Sequence, residues 1–219
     1  MTQTIKDLIT SDMPDDFLIG LVSSKQEALN IKEQIKSFLS NKLKLELNEE
    51  KTLITHAGNS RAKFLGTEIY CPTYGEEKII LREKNGYIFK QRKSSANIRI
   101  NMDTQKVINK LKTAYLCDGS GKSKPKYQWR PYTHKEILMS YNAVISGIFN
   151  YFSFIENVSS LARIYNLLRS SAAKLLASKF KLKTQRSVFK KFGKTLKSPE
   201  GTSLISRTEW KKNPLDFKL

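Results

Sequence analysis

Two stretches of this sequence carry residue types suited to chemistry. The first is SDMPDDFLIGLVSS, where Asp15 and Asp16 adjoin an apolar run over residues 17–22. Adjacent carboxylates at the mouth of an apolar strand are one way to hold a divalent metal beside a phosphate. The second stretch, residues 174–197, holds nine basic residues and no acid: Lys174, Lys179, Lys181, Lys183, Arg186, Lys190, Lys191, Lys194 and Lys197. Phe180, Val188, Phe189, Phe192 and Leu196 are interleaved among them. That pattern fits a helix docked by its apolar side with a cationic face turned outward. Solvated faces ordinarily mix both signs, so a one-signed face points to a polyanion.

The charge balance of the whole chain agrees. Formal charge is +19, from 39 basic and 20 acidic residues among 219. Residues 1–100 carry 16 Lys/Arg against 13 Asp/Glu, whereas residues 101–219 carry 23 against 7. A back half this basic seeks RNA or DNA, with counter-ion release driving the binding; an anionic membrane surface is the competing partner. No stretch approaches the ~20 apolar residues that a membrane-crossing helix needs. The first twelve residues lack a basic start followed by an apolar block and are not Arg-rich. Neither a secretory signal nor a cleaved transit peptide is therefore expected. Cys71 and Cys117 lie far apart without neighbouring His, which indicates neither a zinc site nor a disulfide framework. A basic loop with Lys122, Lys124, Lys126 and Arg130 also carries Tyr127 and Trp129. Its aromatics fit either base stacking or simple anchorage of the loop. His56 and His134 show no partner and are assigned no chemistry.

The elements that must position these residues change character along the chain. FLIGLV has the composition of a buried strand. The next segment predicts a helix, opened by a Ser24–Glu27 capping box, with Ala28, Ile31, Ile35, Phe38 and Leu39 on one face. LKLEL alternates as a half-buried strand, residues 52–55 form another, and AKFLGTEIYC a third interrupted at Gly66. Asn85-Gly86 between strand-like runs predicts a hairpin. From residue 102 the period becomes helical. Thr133 and Glu136 form a second capping box ahead of Ile137, Tyr141, Val144, Ile148 and Phe152. Leu161, Ile164, Leu168, Ala172 and Leu175 mark the following helix, and a short last helix ends at Gly193 as a left-handed cap. Tyr141, Phe149, Tyr151, Phe152 and Phe154 are expected to pack rather than to stack on bases.

DDFLIG, LKLELNEEKTLITH and AKFLGTEI together resemble the end of the palm of group II intron reverse transcriptases. GIFNYFSFIENVSSLARIYNLLRSSAAKLLASKFKLKTQRSVFKKFGKTL is similar to domain X, the maturase or thumb domain of the same proteins. The resemblance covers roughly residues 13–72 and 101–198, in the family's order. It implies an α+β chain: 1–12 unmatched, 13–72 a palm remnant, 73–100 a hairpin or linker, 101–199 a helical domain X, and 200–219 a tail. The tail lacks Cys/His pairs or a His-Asn cluster, so no nuclease module is expected there.

The activity implied is maturase work: binding group II intron RNA and helping it fold for splicing. Arg163, Arg169, Lys174, Lys179, Lys181, Lys183, Arg186, Lys190, Lys191 and Lys194 fall in the matching segment and are the RNA-binding candidates. RNA binding of this kind requires no cofactor. In the family a Tyr-x-Asp-Asp turn positions catalytic magnesium; here it is Met13-Pro14-Asp15-Asp16, so the aspartates stand without the tyrosine. Two-metal nucleotidyl transfer also needs a carboxylate from an earlier palm strand, and only twelve unmatched residues precede the turn. The pair is therefore expected to be a remnant holding Mg²⁺ weakly at most, with no independent polymerase activity. Lys51 and residues 64–66 match palm segments near primer and nucleotide and are expected to be structural. Two alternatives stand beside the maturase: one part of a split reverse transcriptase completed by an upstream fragment, and a non-functional remnant. The resemblance implies a mitochondrial location, with chloroplast or bacterial cytoplasm as alternatives.

Overall fold

The computed structural model describes residues 9–10, 16–72, 79–84, 86–92 and 98–206. They form two compact units: Met1–Phe64 with Tyr70–Asn97, and Leu65–Ile69 with Ile98–Leu219.

In the first unit, strand β1 (Ile9–Thr10) pairs antiparallel with β2 (Phe17–Leu18). The strand expected across FLIGLV is thus two residues long. It is also not buried: Phe17, Ile19 and Leu21 are exposed, and Val22 is 88% exposed. A strand is buried only where neighbours cover its faces, and among the described residues β2 pairs with β1 alone. Helix α1 (Lys25–Phe38) starts as expected. Glu27 N donates to Ser24 Oγ at 3.3 Å, and Ser24 N donates to Glu27 Oε2 at 2.9 Å. Ala28, Ile31, Ile35 and Leu39 are half-buried, while Phe38 is exposed.

The expected LKLEL strand is absent. The helix runs on as one π turn (Leu39–Leu43) and stops at Lys44, whose φ of +56° is left-handed. Leu43 and Leu45 are exposed. The strand over residues 52–55 is absent too. Asn48 captures the backbone just before it, accepting from Lys51 N through Oδ1 and from Thr52 N and Thr52 Oγ1 through its carbonyl. Such local bonds compete with ladder formation. Strand β3 (Ala62–Phe64) follows.

The remainder of the unit is a hairpin. Its strands are numbered after β4 (Thr67–Tyr70) as β5 (Ile79–Lys84) and β6 (Tyr87–Arg92). Lys84 pairs with Tyr87, so a two-residue turn joins them. Gly86 takes φ +78°, the conformation that the expected Asn-Gly turn requires. Asn85 itself lies outside the described residues.

The second unit contains most of the core. Residues 67–69 of β4 lie beside β7 (Arg99–Met102). Helix α2 (Thr104–Thr113) follows, capped by Asp103, whose Oδ1 accepts from Lys106 N at 3.0 Å. Asp103 N donates to Gly66 O at 3.0 Å. The turn at residues 65–66 has φ +45° and +79°, so the interruption expected at Gly66 is a turn. A side-chain carbon added at Gly66 would meet the Phe152 ring at 3.7 Å. Asn157 binds both Met102 N and Met102 O, and Tyr151 Oη donates to Leu65 O at 2.8 Å.

Helix α3 (His134–Tyr151) opens with the expected Thr133–Glu136 box. Helices α4 (Val158–Lys179) and α5 (Gln185–Phe192) complete the bundle. Ile137, Tyr141, Ile145 and Phe149 of α3 are buried, as are Leu161, Ile164, Leu168, Ala172 and Leu175 of α4. These are the faces that the helical period picks out. Val144 and Ile148 are half-buried against the same core, whereas Phe154 and Tyr151 are exposed. Gly193 has φ +75° but ψ 178°, so it is not a left-handed cap. That region is still essentially restricted to glycine, and α5 stops there for that reason.

Candidate nucleic-acid interface

Helix α4 frames the cationic segment. Its apolar stripe faces the core, which leaves Arg163, Arg169 and Lys174 off that stripe. Beyond Lys179 the chain reverses through Lys181, at φ +53°, with Leu182 N donating to Ala177 O at 2.8 Å. Thr184 then caps α5, its Oγ1 accepting from Ser187 N at 3.2 Å. Val188 is fully buried, and Phe180, Phe189 and Phe192 pack against the core. Arg186, Lys190 and Lys194, four residues apart, are consequently exposed. The docked helix with an outward basic face is as the interleaved apolar residues lead one to expect.

The ten candidate cations fall into two groups. Arg163, Lys181, Lys183, Arg186, Lys190 and Lys194 are exposed, and their side chains make none of the contacts that follow, whereas Lys191 is exposed but lies against two rings. The other four are engaged within the protein. Lys174 Nζ donates to Ser123 O at 2.6 Å, and Lys179 Nζ donates to Arg130 O at 3.2 Å. Arg169 Nε donates to Lys194 O at 3.1 Å, its guanidinium stacked 4.7 Å from the Phe189 ring centroid. Lys191 Nζ sits 5.4 and 5.6 Å from the ring centroids of Phe192 and Phe180. The ion pairs Lys36–Glu49, Arg99–Glu156 and Lys135–Glu200 involve none of the cations of residues 163–197.

The basic loop before α3 is clamped to α4. Ser171 Oγ donates to Lys124 O, and the hydroxyls of Ser123 and Ser170 lie 2.8 Å apart. Ser170 Oγ also donates to Gln185 Oε1 at 2.8 Å, which ties the same point to the start of α5. Asp118 organises the loop from within: its Oδ1 accepts from Ser120 N, Ser120 Oγ and Lys122 N. Those bonds hold its carboxyl below the usual carboxylate range. The sequence reading missed this role, although Asp before Gly-Ser-Gly is a legible Asx-turn signal. Trp129 anchors the loop, edge-on to Tyr141 at 5.1 Å, with Lys126 Nζ 4.5 Å above its indole. Tyr141 is fully buried, and its phenol, bonded to Ser171 Oγ at 2.8 Å, is pushed up to about 12 by that burial.

His134 has a partner after all. It is buried, with Nε2 3.0 Å from Leu196 O, and its ring packs edge-on against Phe192 and Phe180. Burial lowers its pKa below 6.5. The carbonyl partner makes it a structural post between α3 and the segment after α5. Of the aspartate pair, Asp16 is exposed and Asp15 lies outside the described residues. Among the described residues no group of three His, Cys, Asp or Glu gathers as a metal site. No helix among them is long and apolar enough to cross a membrane. Cys117 is buried, with Sγ 3.5 Å from Ile108 O, and burial raises its pKa.

A family model described as type II intron maturase matches residues 95–217. The chain is 36% identical over 198 residues to the putative COX1/OXI3 intron 1 protein of Saccharomyces cerevisiae, covering 88% of this chain and 24% of that protein. It is 34% identical over 188 residues to the group II intron-encoded protein LtrA of Lactococcus lactis, covering 82% of this chain and 30% of LtrA. Over 112 residues it is 34% identical to maturase K of Marchantia polymorpha, covering 49% of this chain and 30% of that one. The chain thus spans between 24% and 30% of the length of these relatives.

Proposed function

Because the chain belongs to the type II intron maturase family, we propose that it binds structured group II intron RNA and assists its folding for splicing. One observation carries this reading. Arg163, Arg186 and Lys190 are exposed on helices whose opposite faces are buried in the core, and Lys181, Lys183 and Lys194 are exposed in the segments that flank α5. A folded intron crowds phosphates together. A rigid cationic surface binds that compact state better than the open one, and so shifts the population toward it. Backbone and helix shape are read more than base edges. The reading needs no cofactor and gives Asp15 and Asp16 no catalytic role.

The relatives also include an uncharacterized mitochondrial protein of Marchantia polymorpha, 28% identical over 225 residues. That relative, with the yeast COX1 intron protein, supports a mitochondrial site of action for this chain. The test is filter binding to a group II intron transcript and to a scrambled RNA of equal length, followed by a splicing assay at limiting magnesium. Tighter binding to the intron and faster splicing are expected. Equal, weak binding to both RNAs would refute maturase function.

A further inference from the structure

We propose that Tyr127 is a stacking platform for an unpaired RNA base, set at the edge of the cationic face. The inference rests on the RNA-binding reading and adds to it the kind of nucleotide that the loop receives. Tyr127 opens a short 3₁₀ turn, Tyr127–Trp129. The two aromatics of the turn differ sharply: Trp129 packs against Tyr141 inside the bundle, whereas Tyr127 is 61% exposed. The turn that presents it is held on every side. Trp129 N donates to Lys126 O, Arg130 N to Tyr127 O, and Tyr132 N to Trp129 O, each at 3.0–3.1 Å. Lys124 O is held by Ser171 and Arg130 O by Lys179. A large ring on a backbone fixed this firmly needs little further ordering to bind, which is how a preorganised contact gains affinity.

Position specifies the occupant. Lys124 and Arg130, on either side of Tyr127, have exposed side chains, as does Gln128 next to it. The Lys179–Arg130 bond joins the turn to the C-terminal end of α4, where the run toward Lys181 and Lys183 begins. A strand whose phosphates follow those cations arrives beside the Tyr127 ring. The exposed ring stacks on any base that is free of its helix, because every base has a π-face. Paired bases offer it nothing, since their faces are already covered.

The experiment uses the full chain and two RNA probes: a hairpin with 2-aminopurine in its loop, and the same sequence as an unbroken duplex. Stacking on Tyr127 quenches the hairpin's fluorescence on binding. Tyr127→Phe keeps the quench; Tyr127→Ala abolishes it and weakens hairpin binding about tenfold or more, the usual effect of losing one stacked base. Duplex affinity and the salt dependence of both probes stay unchanged in Tyr127→Ala. An undiminished quench in that variant, or an equal loss on hairpin and duplex, overturns the platform. The combined Lys183→Gln, Arg186→Gln and Lys190→Gln variant tests the underlying reading separately, because it must weaken both probes whether or not Tyr127 stacks.

Discussion

Neutralising Lys183, Arg186 and Lys190 together, each to Gln, tests the cationic face with little risk to the fold. All three side chains are exposed, whereas Lys174, Lys179, Arg169 and Lys191 are engaged with carbonyls or rings. Gln retains helix propensity, and the loss of Lys190 from the last turn of α5 costs only a few tenths of a kcal/mol through the helix dipole. The six candidate cations that are exposed without an internal contact, each neutralising one phosphate of a helical RNA region, give a log–log salt slope of about −5 by the duplex relation. Between about 50 and 200 mM salt, affinity for the intron then falls roughly 10³-fold. With three cations removed the slope drops to about −3, and the same salt step costs only about 40-fold. Filter binding at four or five salt concentrations reads both slopes, and circular dichroism confirms that the variant is folded. An unchanged slope in a folded variant would show that these residues do not meet phosphate.

Further outcomes follow from the packing. Tyr141→Phe removes the 2.8 Å bond to Ser171 and should cost about 1 kcal/mol in urea unfolding, without altering RNA binding at low salt. His134, with its pKa lowered by burial, is neutral in the fold, and the unfolded chain binds its proton more readily. Its contribution is full above pH 6.5 and is lost as pH falls through the lower folded value. Urea midpoints should therefore fall between pH 7 and pH 5, and His134→Gln should flatten that stretch of the profile; an unaltered profile would contradict the assignment. Asp118→Ala should speed amide exchange at Ser120 and Lys122, whose N–H groups lose their acceptor, while α4 amides remain protected.

Much of the helical unit was legible because its signals are local. Each capping box closes within four residues, and the apolar stripes of α3 and α4 repeat at the helical period. The Asn-Gly hairpin was legible for the same reason. The strand readings at 43–47 and 52–55, and at 17–22 beyond Leu18, failed because an apolar or alternating run is only a preference, satisfied when a neighbouring strand supplies the ladder. Asn48 offers the backbone a nearer partner, and the π turn at Leu39–Leu43 takes the first of the alternating leucines and ends in a left-handed Lys44 inside the run. At the site, the cationic segment was plain in the sequence, but the division of its residues was not. Lys174 and Lys179 reach carbonyls 51 and 49 residues away, and only the folded chain brings those groups together. His134 and Leu196, 62 residues apart, were hidden likewise.

The small piece at residues 65–69 bears on how this protein can be cut. The family match begins at residue 95, yet Leu65–Ile69 belongs by its contacts to the helical unit. A truncation at residue 95 would strip Asp103 N and the Tyr151 hydroxyl of their acceptors. Excision upstream of residue 65 keeps those partners, and such a fragment carries the β5–β6 hairpin along as an insertion.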